Sequence, residues 1–334
     1  MGGGQRRVSD DGVTPSGRLP PGDAIVEAAW CYYRCGMNQQ DIARRLGVSR
    51  ASVVNYLSEA RRRGYVRVTL EPEIFRTHEL ARDLVDRFGL ADALVVPPDM
   101  AEPGRSLERV TVAAGEWLPR LLGPGDRLGV AWGETVYRIA EAAPRVALAD
   151  LTVVQLVGSR PAALGFAAET CSATLARRFD AHCVNLHVPL LLSDRDLADR
   201  LRNEPVIAEQ LRAVAGCNKV LFACGTCHSG SHVVRTGLID ADSLAQEVAT
   251  RGAAGVICGR LIDGDGNPVV TESEERMIGV SLDEMRGKDM ALLVGSGANR
   301  VRPMLAAIRG GYATHVATCA DTARRLLAGT GARG

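Results

Sequence analysis

Over the first seventy positions apolar residues recur three or four apart; beyond them the pattern changes to short continuous apolar runs. From Asp23 to Cys35 the repeat Ile25, Val26, Ala29, Trp30, Tyr33 predicts a helix, which Gly36 ends. Asn38 is placed to cap a short second helix over Gln39 to Leu46, with Ile42, Ala43 and Leu46 inward, and Gly47 breaks it. Ser49 caps a third helix running to Arg63, with Val53, Val54 and Leu57 on one face, and Gly64 closes it. Tyr65 to Leu70 then alternates as a strand does and predicts a small wing.

Beyond Pro72 the apolar runs are Ala93–Val96, Arg127–Ala131, Thr152–Val157, Cys183–Val188, Val220–Ala223, Ala254–Cys258, Ala291–Val294 and His315–Ala317. Between them lie helical stretches such as Thr111–Leu122, Glu169–Phe179, Asp196–Ala215 and Pro303–Arg309. Strands that alternate with helices predict an α/β fold, a Rossmann-like doubly wound parallel sheet with helices on both faces. The expected organisation is a disordered leader rich in Gly, Pro, Ser and Arg over residues 1–22, an all-α helix-turn-helix unit over 23–71, and the α/β domain over 72–330.

Composition narrows the class. A chain of 334 residues exceeds the usual single-domain range, and with 4% aromatics its core must be filled by Ala, Val and Leu. No apolar run reaches the roughly 18 residues that a membrane span needs. Met1 to Arg7 is Gly-rich and basic without an apolar stretch behind it, so no secretory signal is expected and the protein reads as cytoplasmic. Nine cysteines, an odd number without framework spacing, fit a reducing compartment. Cys224-Gly-Thr-Cys-His228 matches the haem-attachment string, but it directly follows a predicted buried strand. Cys217 and His232 lie nearby without completing a zinc spacing, so neither metal nor other cofactor is expected.

The net charge of +1 hides an asymmetry. Between Arg34 and Arg67 eight arginines face only Asp41 and Glu59, a local excess of +6 that leaves about −5 for the rest of the chain. Such a split is the electrostatic footprint of a DNA-binding module joined to a neutral or acidic partner domain. The same segment has the chemistry of a helix-turn-helix corner: Ala43 is small where two helices cross, and Gly47 tolerates the positive φ of the turn. Ser49, Arg50, Ser52 and Asn55 are then left outward, the residue types that reach base edges and phosphates from the major groove, and Gln39 and Gln40 join them as candidate DNA-binding residues. Arg61 and Arg62 suit phosphate contact, although an arginine run is also an ordinary solvated face.

On these residues the chain resembles the SorC/DeoR group of sugar-responsive bacterial regulators. The helix-turn-helix likeness lies in Tyr32-Tyr33, Gly36, Gln39, Asp41-Ile42-Ala43, Leu46-Gly47-Val48-Ser49-Arg50, Val53, Leu57, Ala60-Arg61 and Gly64. It extends through Leu128–Val136, Gly252–Gly259, Asp263–Asn267, Ala306–Gly311 and Thr318–Ala323, covering residues 24–328. The resemblance implies an effector domain similar to sugar-phosphate isomerases, double-stranded operator DNA and a phosphorylated sugar as partners, and a homodimer or homotetramer.

Three turns between strand and helix are rich in small residues: Trp132–Val136, Gly225–Gly230 and Gly295–Arg300. Free backbone N–H groups at such turns favour an anion, though tight turns need glycine in any case. By the resemblance, Gly133, Thr135, Gly225 and the loop of Gly295, Ser296, Gly297 and Arg300 hold the phosphate, while Asp263 and Arg260 contact sugar hydroxyls or a second phosphate. Gly158, Ser159 and Thr226 complete the expected effector site. Arg300 replaces the lysine usual in the group, and Glu169 stands where relatives often have asparagine. The histidines at 182, 187, 228, 232 and 315 fall in no acid-paired motif, so a regulator is expected rather than an enzyme. The alternatives are a sugar-phosphate isomerase or deaminase fused to a DNA-binding region, and an α/β domain that serves oligomerisation alone.

Overall fold

The computed structural model describes residues 20–67, 71, 75, 78–97, 102, 105–160 and 166–329. The chain divides into two compact units, Met1–Thr69 and Leu70–Gly334.

In the first unit, helix α1 (Pro21–Ala29) runs on into a single π-helical turn, Trp30–Arg34. It starts two residues ahead of the expected Asp23 because proline is pre-organised for the first helical position, where its missing N–H costs nothing. Helix α2 (Gln39–Leu46) has Asn38 as its cap, the side chain accepting from the Asp41 N–H, and Gly47 at φ 63° as its left-handed stop. Helix α3 (Arg50–Arg62) begins at Ser49, whose hydroxyl accepts from the Ser52 N–H. Ile25, Ala28, Cys31, Ile42, Ala43, Val53, Leu57 and Ala60 form one buried cluster among the helices. The expected wing is not supported where it can be seen: Tyr65–Arg67 is not in strand conformation, and 68–70 lie outside the described residues, as does 1–19 of the expected leader.

The second unit is built on a seven-stranded parallel sheet. Its strands are β1 (Asp92–Val96), β2 (Arg127–Val130), β3 (Thr152–Gln155), β4 (His182–Val184), β5 (Lys219–Phe222), β9 (Met290–Val294) and β10 (His315–Cys319). Their spatial order is β1-β10-β9-β5-β2-β3-β4. With β2 counted first, six of them read 3-2-1-4-5-6, the dinucleotide-fold order, and β1 is added beyond β10. Helices α4 (Glu79–Phe88), α5 (Ser106–Trp117), α6 (Glu134–Ala142), α7 (Ala168–Phe179), α12 (Val301–Arg309) and α13 (Ala320–Leu327) cover the sheet. Right-handed crossovers place α6, which links β2 to β3, and α12, which links β9 to β10, on opposite faces because the two steps run in opposite directions. Valine, leucine and alanine dominate the core, with Trp117, Tyr312, Phe179 and Phe222 as its few large fully buried rings.

Two departures from expectation have local causes. The run Ala254–Cys258 does not join the parallel sheet. It forms β6 (Ala253–Ile257), paired antiparallel with β7 (Arg260–Asp263), which pairs in turn with β8 (Pro268–Val269). Cys258 and Gly259 both have positive φ, 51° and 87°, and make a two-residue hairpin turn, so the chain reverses instead of crossing over. The stretch Asp196–Ala215 is two helices, α8 (Arg195–Asn203) and α9 (Pro205–Ala215), because Pro205 keeps Glu204 extended. Two further helices, α10 (His232–Arg235) and α11 (Ala241–Arg251), lie between β5 and β6.

The turn after β7 is a packing device. Gly266 has φ 86°, and a Cβ there would stand 2.4 Å from the Ala306 carbonyl oxygen and from Gly310 Cα. Its own carbonyl accepts from the Tyr312 hydroxyl. Gly266→Ala is expected to destabilise the protein by about 2–4 kcal/mol, whereas Gly311→Ala, where φ is positive but the space is open, should cost about 1 kcal/mol. Urea unfolding of both variants checks the ranking, and equal losses would show that backbone crowding at Gly266 is relieved elsewhere.

Candidate functional site

Two sites take shape, one in each unit. In the first, α3 presents Arg50 and Asn55 to solvent, with Ser52 half-buried beside them and Ser49 at the helix start. The Arg50 Nε donates to Gln39 Oε1 at 3.2 Å, which ties the start of α3 to the start of α2 and leaves the outer guanidinium nitrogens free of that bond. Gln40 is exposed on the first turn of α2. Arg61 is exposed as well, whereas Arg62 and Arg63 are both held by Glu59, whose carboxyl pKa their hydrogen bonds lower to about 2. Of the expected DNA-facing residues, Gln40, Ser49, Arg50, Asn55, Arg61 and Arg62 are exposed and Gln39 and Ser52 half-buried, and Arg62 is already engaged by a carboxylate.

The second site follows from the topology. Strands β2 and β5 are neighbours, but β2 leads to β3 on one side and β5 leads towards β9 on the other. Connections that leave in opposite directions open a crevice at the carboxyl ends of the two strands. A cleft of about 110 Å³ lies there, lined by Ala131–Thr135, Ala223–Gly225, His232, Arg235, Cys258 and Arg300 among others.

Gly133 shapes one wall. Its φ of 102° turns the chain from β2 into α6, and as a glycine it gives no side-chain cap, so the first N–H groups of α6 have no capping side chain among the described residues. Gly225 is joined to Val256 by two backbone hydrogen bonds, its N–H to the Val256 carbonyl at 2.8 Å and the reverse at 3.1 Å. A Cβ at Gly225 would stand 3.1 Å from Val256 Cβ, so glycine lets the β6 segment close on the cleft. Arg300 reaches across from the start of α12, its Nη1 donating to the Cys224 carbonyl at 2.9 Å. Burial pushes its pKa below the usual arginine value, and no carboxylate among the described residues pairs with it. The neighbouring Glu134 is bound instead by Arg138 at 2.7 Å.

The expected effector residues separate into groups. Gly133, Thr135, Gly225 and Arg300 line the same cleft, and Thr226 is buried next to Gly225. Gly158 and Ser159 are held by backbone bonds to Ile278, Val188 and Leu190, and Ser159 lines a separate recess with Glu169 and His187. The N–H groups of Gly295 and Gly297 are taken by the Ala317 carbonyl and the Thr322 hydroxyl, and Ser296 Oγ donates to Cys319 Sγ. Arg260 and Asp263 are not among the cleft residues. Arg260 is 8% exposed and bonded to Glu274 and the Val280 carbonyl, while Asp263 organises its own turn by accepting from Asp265 and Asn267.

The sequence places the Trp132–Val136 turn at the cleft without giving Trp132 or Glu134 a role of its own, and it does not place His232 or Arg235 there. The sequence offers His232 as a metal ligand beside Cys217, Cys224 and Cys227 and as one of five histidines outside any acid-paired motif. Cys217 precedes β5 and Cys224 follows it, so the two thiols sit at opposite ends of a strand about 13 Å long. Among the described residues no three His, Cys, Asp or Glu side chains stand together as a metal site. His228 is exposed, and its Nδ1 accepts from the Gly230 N–H within its own turn. Both lysines are also remote from the cleft: Lys219 opens β5 on Asp126, and Lys288 precedes β9, bonded to the Cys217 carbonyl.

Comparison with known proteins accords with this architecture. Residues 72–328 match the Sugar-bind family model, a sugar-binding domain. The transcriptional regulator YjhU of Escherichia coli K12 is 32% identical over 312 residues, 92% of this chain and 94% of that protein. The deoxyribonucleoside regulator of Bacillus subtilis is 30% identical, covering 90% and 96% of the two chains. The crystal structure of the full-length sorbitol operon regulator SorC of Klebsiella pneumoniae shares the fold with a TM-score of 0.72 at 23% identity, over 91% of this chain and 98% of that one. With a sugar-binding α/β unit behind a helix-turn-helix, and relatives of this kind over nine-tenths of its length, the chain belongs to the SorC family of sugar-binding transcriptional regulators.

Proposed function

We propose that this regulator binds double-stranded operator DNA through α3 and takes a phosphorylated sugar into the cleft between β2 and β5. It acts as a homodimer or homotetramer, because one recognition helix binds weakly and paired units match palindromic half-sites. Its targets are carbohydrate-metabolism genes, and the effector relieves repression by binding better to the state with lower DNA affinity. The observation that carries the effector reading is the convergence, at one topological switch point, of an α6 terminus without a capping side chain among the described residues and an arginine that forms no ion pair among them. Helix termini and guanidinium groups are each suited to phosphate, and together they match its charge and its several acceptor oxygens.

The cleft chemistry supports binding rather than turnover. Burial pushes the Cys258 thiol up to about 12, so it stays protonated and is a poor nucleophile. No carboxylate orients His232 among the described hydrogen bonds, as a general base would require. The names of the deoxyribonucleoside and sorbitol operon regulators support a sugar as the effector class.

Arg300→Ala is expected to weaken sugar-phosphate binding about 10- to 100-fold, the loss of a charge-assisted hydrogen-bonding partner, without altering DNA affinity when no effector is added. Calorimetric titration with pentose and hexose phosphates reads this; unchanged affinity in the variant would defeat the cleft assignment. In the first unit, Asn55→Ala or Arg50→Ala should cost about 1–3 kcal/mol in discrimination between operator and random DNA. Arg62→Ala, already paired with Glu59, should cost far less. A fluorescence anisotropy titration at fixed salt ranks the three, and the reverse order would exclude α3 as the reading helix.

A further inference from the structure

We infer that His232 is a ligand of the effector's anionic group and binds a proton together with it, so that effector affinity rises as pH falls. This rests on the anion-cleft reading and specifies how that cleft is tuned.

The geometry places the imidazole for this role. His232 is half-buried on the cleft wall, and its ring packs edge-on against Trp132 with centroids 4.8 Å apart. No hydrogen bond to either ring nitrogen occurs among the described residues, so both remain available to a ligand. The groups that face it are Trp132 from the loop after β2, Glu134 from the first turn of α6, Arg235 from its own short helix, and Arg300 from the start of α12.

The electrostatics give the sign. Burial comes first and the two arginines follow in pushing the His232 pKa below its usual value, while Glu134 pulls weakly the other way. Glu134 is itself bound to Arg138 at 2.7 Å. Without an anion, His232 is therefore neutral at pH 7. A dianion among Arg235, Arg300 and the α6 terminus reverses the local potential and favours the imidazolium, which then adds a third cationic donor. Proton uptake and anion binding are linked, each strengthening the other. Affinity should be flat above the His232 pKa of the complex, rise by up to about tenfold per pH unit below it, and level off below the pKa of the free protein.

Sulfate is the probe of choice, because a phosphate monoester itself titrates near pH 6 and would oppose the effect, whereas sulfate keeps its charge. Titration of the full chain with sulfate from about pH 6 to 8 should show tighter binding at the acid end. Calorimetry in two buffers of different ionisation enthalpy should show net proton uptake near neutrality. His232→Gln should remove both the uptake and the pH dependence while leaving weak sulfate binding. Should that variant fold poorly, proton NMR of the wild type should show one imidazole whose titration moves to higher pH when sulfate is added. Sulfate binding without pH dependence, uptake that survives His232→Gln, or no shifted imidazole would overturn the proposal while leaving the cleft intact. If sulfate binding is absent, or unaffected by Arg300→Ala, the cleft reading itself fails and this inference with it.

Discussion

The adjacency of β2 and β5, whose onward connections part in opposite directions, is the constraint on which the second unit depends. It creates a crevice that no side chain has to carve, and it brings the loops after the two strands together at their carboxyl ends. Gly133 turns one loop into α6 without a side-chain cap. Gly225 lets the other loop approach β6, and Arg300 closes the third side by bonding to the Cys224 carbonyl. Each of these local choices makes sense only because the sheet order has already put the segments side by side.

The first unit solves a different problem with the same economy. Three short helices cannot bury much surface, and here nine buried residues suffice because Ala28, Ala29, Ala43 and Ala60 allow close crossings. Gly47 supplies the reversal between α2 and α3, while Asn38 and Ser49 satisfy the orphan N–H groups at the two helix starts. Arg50, Asn55 and Arg61 of α3 remain exposed. The arginine excess of this segment is partly internal, since Glu59 holds two of the three arginines in its run.

Most of the fold was legible because its signals are local. Caps, glycine stops and apolar runs place α2 to the residue and the sheet strands to within a few positions. What was not legible is decided by contacts distant in sequence. Nothing in Ala254–Cys258 distinguishes a parallel strand from a hairpin arm; the positive φ at Cys258, a residue type that rarely adopts it, makes the difference. The resemblance implies that Arg260 and Asp263 contact the sugar, yet Glu274 and Asn267 claim them. His232 carries no spacing signal, since its place on the cleft wall comes from the loop path after β5 and from Trp132, a hundred residues earlier. Periodicity marks the turns after the strands, and the resemblance singles out Gly133, Thr135, Gly225 and Arg300 within them; all four line one cleft.

The paired backbone bonds between Gly225 and Val256 have a mechanical consequence. They weld the cleft loop to the β6–β7 ribbon, whose far turn is clamped through Gly266 to Tyr312 and Gly310 on the opposite side of the unit. A displacement of the cleft floor must therefore either drag the ribbon as a stiff lever or break two main-chain bonds worth about 0.5–1.5 kcal/mol each. Motion of the cleft floor is, by construction, delivered elsewhere.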